Sequence, residues 1–322
     1  MLYLNEENIQ EVGIDWKRSV EVIREAVVCL ANNEFAQPIK PYLRYNNLKN
    51  RIIAMPAYVG GECDMAGIKW IASYPDNINH GIARAHSVVV LNNSETGIVE
   101  AIINTPLLSI IRTAAVTGFF IEQVSRVRNL EHCKVGIIGL GPIGQNHLKM
   151  CTQILGNMVE KYYLYDIRPV IDIDNIDTGA VPVMKAKTWD ELYEECDIII
   201  CCTVAEQPYI NKKPKEGALV LNISLRDFTL EAYPYLKNNI IVDDWEEVCR
   251  EKTTIEDWNK AYGLQREDTH NLVDLLTPDY ILSLQEEDTL MFCPMGMAVF
   301  DIAIATYYYN NAKRLGIGVD LV

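Results

Sequence analysis

The sequence of 322 residues has no excess of basic residues: 29 Lys and Arg stand against 44 Asp and Glu, a formal net charge of -15. Nucleic acid and anionic membrane surfaces need a basic face, so both are excluded as main partners. Long hydrophobic runs are lacking too. The most apolar stretch, residues 197–205, is far too short to span a bilayer. The start, Met1-Leu2-Tyr3-Leu4-Asn5-Glu6-Glu7, has neither the basic nor the apolar part of a secretory leader. The nine cysteines show no repeated C-x-x-C spacing, and Cys201 and Cys202 sit inside an apolar run. Neither a metal site nor a disulfide framework is expected. His80, His86 and His270 show no ligand spacing, and there is no internal repeat or low-complexity segment. The expectation is a cytoplasmic protein.

What remains is ordinary globular composition, 49% hydrophobic and 23% charged, with enough length for two domains. Val20, Ile23, Val27 and Leu30 mark an amphipathic helix over residues 16–31. Residues 38–103 carry short apolar or alternating runs at 51–55, 67–71, 87–91 and 98–103, separated by Gly60-Gly61, Pro75-Asp76-Asn77 and Asn92-Asn93-Ser94. They predict a mostly antiparallel sheet. A long helix is expected from about 106 to 128. Strands at 134–139, 161–166, 197–202, 218–223 and 239–243, with a helix at 142–155, then predict a parallel α/β layer. Residues 251–288 read as helices, and the helix over 297–315 is expected to return to the first module.

The strongest motif runs straight out of an apolar strand: Gly139-Leu-Gly141-Pro142-Ile143-Gly144, followed by a helix pattern. The first glycine permits a tight turn, the second a close approach of backbone to a pyrophosphate, and the third packs helix on sheet. Pro142 suits the first helical turn, whose N–H groups would face the phosphates. Asp166 ends the next strand, 22 residues after Gly144, where a carboxylate accepts ribose hydroxyls and repels a 2′-phosphate. The cofactor expected is NAD rather than NADP, with Arg168 two residues on softening that preference.

Polar residues that interrupt apolar patterns are the other candidates. Lys69 lies between Ile68 and Trp70 in a strand, either at a site or on an open sheet face. Arg112 interrupts a helix of apolar and small residues, as an anion binder or as a structural ion pair. With Arg44 and Arg84 these cations would suit a carboxylate-rich ligand, because guanidinium forks bind carboxylates in a bidentate way. Asp227 is an acid/base candidate or a helix N-cap. Thr203 and Ser224 follow strands and are cofactor contacts or turn residues, and His147 is expected to be packing.

Taken together, Arg44, Met55-Pro56-Ala57, Lys69, Arg112-Thr113-Ala114-Ala115, the glycine turn, Asp166, Asp227 and Gly296-Met297-Ala298-Val299-Phe300-Asp301 resemble the ornithine cyclodeaminase/μ-crystallin family over essentially the whole chain. The resemblance implies an α/β fold, a Rossmann NAD-binding domain (119–295) inserted into an α+β substrate-binding and dimerisation domain (1–118 plus 296–322) of a homodimer. It implies that Arg44, Lys69 and Arg112 hold a substrate α-carboxylate and that Lys69 and Asp227 are catalytic, Asp227 as acid/base. Thr113, Gly139, Gly141, Pro142, Ile143, Gly144, Asp166, Thr203, Ser224 and Met297 are the implied cofactor contacts.

Within the family, Ile53, Ile143, Gly144 and Arg84 depart from the cyclodeaminase pattern. They suit a branch that cleaves N-(2-amino-2-carboxyethyl)-L-glutamate oxidatively to 2-oxoglutarate and L-2,3-diaminopropionate, a building block of siderophores and peptide antibiotics. An ornithine or lysine cyclodeaminase, an alanine dehydrogenase or ketimine reductase, and a non-catalytic μ-crystallin-like NAD(P)-binding protein stay open as alternatives.

Overall fold

Alternation of inward and outward side chains organises the first part of the chain. The computed structural model describes residues 1–168 and 177–321. These fall into two units, Met1–Val116 with Gly296–Val322, and Thr117–Met295.

In the first unit the strands are β1 (Leu2–Asn5), β2 (Phe35–Ala36), β3 (Tyr42–Leu43), β4 (Arg51–Val59), β5 (Met65–Ser73), β6 (Ala85–Asn93) and β7 (Val99–Asn104). The helices are α1 (Glu6–Val12), α2 (Trp16–Ala31) and the start of α3 (Leu107–Ser125). Asp15 caps α2 by accepting the Arg18 N–H at 3.0 Å, and the predicted stripe Val20, Ile23, Val27 and Leu30 is buried. The β4–β5–β6–β7 core is antiparallel, as the alternating runs required, whereas β1 joins β7 in parallel.

The second unit holds β8 (Cys133–Ile138), β9 (Val159–Tyr165), β10 (Val183–Lys185), β11 (Ile198–Cys201), β12 (Leu219–Asn222), β13 (Ile240–Val242), β14 (Thr269–Asn271) and β15 (Leu290–Cys293). Its helices are α4 (Pro142–Leu155), α5 (Trp189–Glu195), α6 (Tyr233–Leu236), α7 (Trp245–Val248), α8 (Thr254–Tyr262) and α9 (Pro278–Ile281). The strands form one parallel sheet in the order β10-β9-β8-β11-β12-β15-β13-β14. Every residue of β11, β12 and β15 is buried, as a sheet covered on both faces demands. The order of its first five strands is that of a dinucleotide-binding fold.

Two sequence expectations need correction. Residues 251–288 are not wholly helical, because β14 lies between α8 and α9 and pairs with β13. The strand β15 was not expected at all, yet it separates β12 from β13. Its Leu-Met-Phe-Cys sequence lacks β-branched residues and alternation, so burial between two neighbours decides its conformation rather than local preference.

The chain then returns to the first unit as α10 (Ala298–Leu315) and β16 (Val319–Asp320), which pairs with β1. The return was expected from the sequence. α10 packs on β4, β5 and α2. α3 is long and apolar enough to cross a membrane by length and composition alone, but Ile111, Ala114, Ala115, Phe119, Phe120 and Ile121 are fully buried in the folded chain.

Candidate functional site

The glycine turn of the second unit is shaped by steric necessity. Gly139 has φ +91°, and a Cβ there would meet the Cys202 carbonyl oxygen at 2.7 Å. A Cβ on Gly144 would lie 1.9 Å from the Gly139 carbonyl oxygen, so helix and turn touch backbone to backbone. Gly141 is different. It N-caps α4, and a Cβ there would meet nothing within 4 Å. Pro142 opens α4 and Ile143 follows it, so the helix begins with free N–H groups over open space beside Gly141. This open cradle fits a pyrophosphate. Asp166 Oδ2 accepts the Leu140 N–H at 2.7 Å and Oδ1 the Arg168 N–H at 2.9 Å, while Arg168 Nε stands 3.5 Å from Oδ1.

Behind the turn, His147 is fully buried and is held neutral, its pKa pushed down to about 4 by burial. Its Nδ1 faces the Ile143 carbonyl oxygen at 2.8 Å, so that nitrogen carries the proton, and Nε2 accepts from the Thr117 hydroxyl at 2.9 Å. It is a packing residue.

Asp227 is also fully buried in this unit. It does not cap a helix; the next helical turn begins after Thr229. Instead its Oδ1 accepts from the Thr203 hydroxyl and its Oδ2 lies against the Ser224 hydroxyl. Ser224 Oγ is also 3.0 Å from the Cys201 carbonyl oxygen. The Ser224 hydroxyl is thus shared between Asp227 and the Cys201 carbonyl oxygen. Burial pushes the Asp227 carboxyl above its usual range, with Ser224, Thr203 and Arg226 working against it. The turn that presents Asp227 is fixed by Leu225 at φ +68°, whose N–H is accepted by buried Asn222 Oδ1 at 3.0 Å.

In the first unit, strand alternation turns Lys69 inward, to 1% exposure, and excludes an open sheet face for it. Lys69 Nζ donates to Asp301 Oδ2 at 2.7 Å, and Arg112 Nε donates to Asp301 Oδ1 at 3.0 Å. Lys40, equally buried, donates to the Gly296 carbonyl oxygen at 2.7 Å. Burial pulls Lys69 down to about 8; Asp301 opposes this, and Arg112 and Lys40 add to it. Burial alone would raise Asp301, but Arg112 and Lys69 outweigh it and hold the carboxyl below its usual range. One carboxylate thus faces two buried cations and stays ionised.

Comparison with known proteins identifies this combination. Residues 4–315 match the profile of the Ornithine cyclodeaminase/mu-crystallin family. The N-((2S)-2-amino-2-carboxyethyl)-L-glutamate dehydrogenase of Staphylococcus aureus is 32% identical over 334 aligned positions, covering 100% of this chain and 98% of that protein. The chain belongs to the ornithine cyclodeaminase/μ-crystallin family.

Solved structures with the same fold include the Thermococcus litoralis Delta(1)-pyrroline-2-carboxylate reductase in complex with NADH and L-proline, with a TM-score of 0.86 at 22% identity and 100% coverage of both chains. An archaeal alanine dehydrogenase dimer with bound NAD gives 0.80 at 23% identity, covering 100% of this chain and 99% of that one.

The family residues named from the sequence are distributed as follows. Arg44 follows β3, half-buried, with its guanidinium 5.0 Å from the centre of the Tyr42 ring. Arg84 is half-buried in the turn before β6, where its carbonyl oxygen accepts the Tyr74 N–H. Thr113 donates its hydroxyl to the Ser109 carbonyl oxygen within α3, and Met297 caps α10; both lie in the first unit. Thr203 and Ser224 are brought together on Asp227. Two residues of the cationic cluster had no role read from the sequence. Asp301 left a usable signal, a lone acid in the apolar run Val299-Phe-Asp-Ile-Ala-Ile304, whereas Lys40 in Pro38-Ile-Lys-Pro41 left none.

Proposed function

We propose that this chain oxidises N-(2-amino-2-carboxyethyl)-L-glutamate with NAD and water, releasing 2-oxoglutarate and L-2,3-diaminopropionate. The observation that carries this reading is the pair of buried cations Lys69 and Arg112 held together on the carboxylate of Asp301. Two buried cations on one carboxylate carry a net positive charge, for which a carboxylate ligand is the natural counterion. The proposed substrate has three. The Staphylococcus aureus relative, named for this substrate, supports the choice.

The cradle of Gly139, Gly141, Pro142, Ile143 and Gly144 would hold the pyrophosphate at the start of α4, with Asp166 on the ribose. NAD supplies the hydride acceptor when bound. Arg44, Lys69 and Arg112 would clamp the glutamate α-carboxylate and so fix the orientation of its α-carbon, a large part of any such rate enhancement. Arg84 would take a further carboxylate. Asp227 would accept the amine proton as the α-carbon is oxidised to the iminium level. After losing that proton to solvent, it would take one from the water that adds to that carbon and return it to the departing nitrogen. Its elevated pKa and its contacts with Ser224 and Thr203 suit a group that alternates between acid and base.

The direct test supplies the tricarboxylate and NAD and follows NADH and 2-oxoglutarate. If neither forms, the reading fails; ammonia from ornithine without net NADH would assign a cyclodeaminase instead.

We also propose a homodimer. The alternation that turns Lys69 inward turns Trp70 outward, to 44% exposure. Its face carries the paired rows Ala54–Trp70–Val88 and Pro56–Ile68–Val90–Ile102, an apolar surface suited to a second copy.

A further inference from the structure

We infer that the first turn of α10 is a jig that sets the carboxylate clamp, with Asp301 as a positioning residue for Lys69 and Arg112 and Gly296 as the surface against which the guanidinium lies. This deepens the proposed function and rests on it for the identity of the substrate. Asp301 is 3% exposed and spends one oxygen on each cation, so a single side chain holds both. Arg112 uses Nε for this contact, which leaves the two terminal nitrogens of its fork for a ligand.

Gly296 confines that fork from another side. A Cβ there would lie 2.6 Å from Arg112 Nη1, 3.0 Å from Nη2 and 3.1 Å from Cζ, so the whole guanidinium lies against bare backbone. The same glycine has φ +88°, a conformation that disfavours any other residue. Its carbonyl oxygen receives Lys40 Nζ, and the N–H of Val299 is accepted by Gln37 Oε1 at 3.1 Å, so residues 37–40 hold the helix start in place. The groups around Lys69 are Asp301 on α10, Arg112 and Ser109 on α3, and Lys40 ahead of β3. Asp301 is the anion among them that keeps the Lys69 ammonium charged beside two other cations.

Geometry and charge can be separated with Asp301→Asn, which keeps shape, and Asp301→Glu, which keeps charge. The pH dependence of Lys69 acetylation by acetic anhydride, read peptide by peptide in the full-length protein, reports the Lys69 proton without reference to turnover. Its midpoint is expected to fall by about 1–3 pH units in Asp301→Asn and to stay near the wild-type position in Asp301→Glu. With the tricarboxylate, Asp301→Asn is expected to raise KM on the order of 100-fold, with kcat changed much less and NADH binding unchanged. Asp301→Glu is expected to raise KM while leaving the pH profile in place. An unchanged Lys69 midpoint in Asp301→Asn overturns the inference, as does an unchanged KM in both variants. If Asp301→Asn does not fold, Asp301→Glu decides alone, since a wild-type KM there excludes a positional role. If the wild-type protein does not turn over the tricarboxylate, the functional reading fails, while the acetylation midpoint still tests the jig.

Discussion

The carboxylate of Asp166 accepts the backbone N–H of Leu140 at 2.7 Å, across 26 residues of sequence. One side chain therefore pins the glycine turn and stands where a ribose would be read. Asp166→Ala is expected to weaken NADH binding by about 10- to 100-fold, the worth of one or two hydrogen bonds to a charged acceptor. NADPH should lose less, because Arg168 is released from the carboxylate beside it. Fluorescence titration of both cofactors is the measurement. An equal loss for the two would show that Asp166 acts on the turn alone.

The glycines of the turn should fail in different ways. Gly144→Ala places a methyl 1.9 Å from the Gly139 carbonyl oxygen and is expected to cost about 1–3 kcal/mol of stability, or more, in urea unfolding. Gly141→Ala meets no protein atom within 4 Å, so stability should be near wild type while NADH binding is lost. A Gly141→Ala protein that binds NADH normally would remove this glycine from the cradle.

Asp227→Asn is expected to lower turnover by about 10²- to 10⁴-fold and to leave NADH binding nearly intact. It should also change the pH dependence of stability. The native carboxyl is raised, so the unfolded chain ionises first, and native stability falls as pH climbs from the ordinary carboxylate value to the native one. The Asn amide donates to Ser224 and accepts from Thr203, as the protonated acid does. Variant and wild type should therefore match at about pH 3, and the variant should be the more stable at neutral pH. Chemical denaturation at both pH values checks the sign.

Arg84→Ala tests substrate size. It is expected to raise KM for the tricarboxylate by about 10- to 100-fold, a charge-assisted contact being worth about 1.5–3 kcal/mol. Turnover of any small monocarboxylate amino acid should be unaffected. Equal losses on both would place Arg84 in the framework of the unit instead.

Trp70→Glu puts a charge on the open apolar face of the sheet at a position already 44% exposed, so the fold should survive. Sedimentation is expected to show a dimeric wild type and a monomeric variant. A monomeric wild type would overturn the proposed assembly.

How much of this was legible without coordinates follows from the range of the forces involved. The glycine turn, the acid closing the next strand and the helix of residues 16–31 are local patterns, set by steric limits on φ and by periodicity, and the sequence alone determined them. The bulk charge of -15 spoke against polyanionic partners by the same local accounting. Strand β15 was not legible, because its conformation comes from burial between β12 and β13 rather than from its own residues. Nor was the partnership of Lys69 and Arg112 with Asp301, 232 and 189 residues away. No spacing rule reaches that far. A buried cation must find an anion wherever the fold brings one, and only the return of α10 to the first sheet decided which one it was.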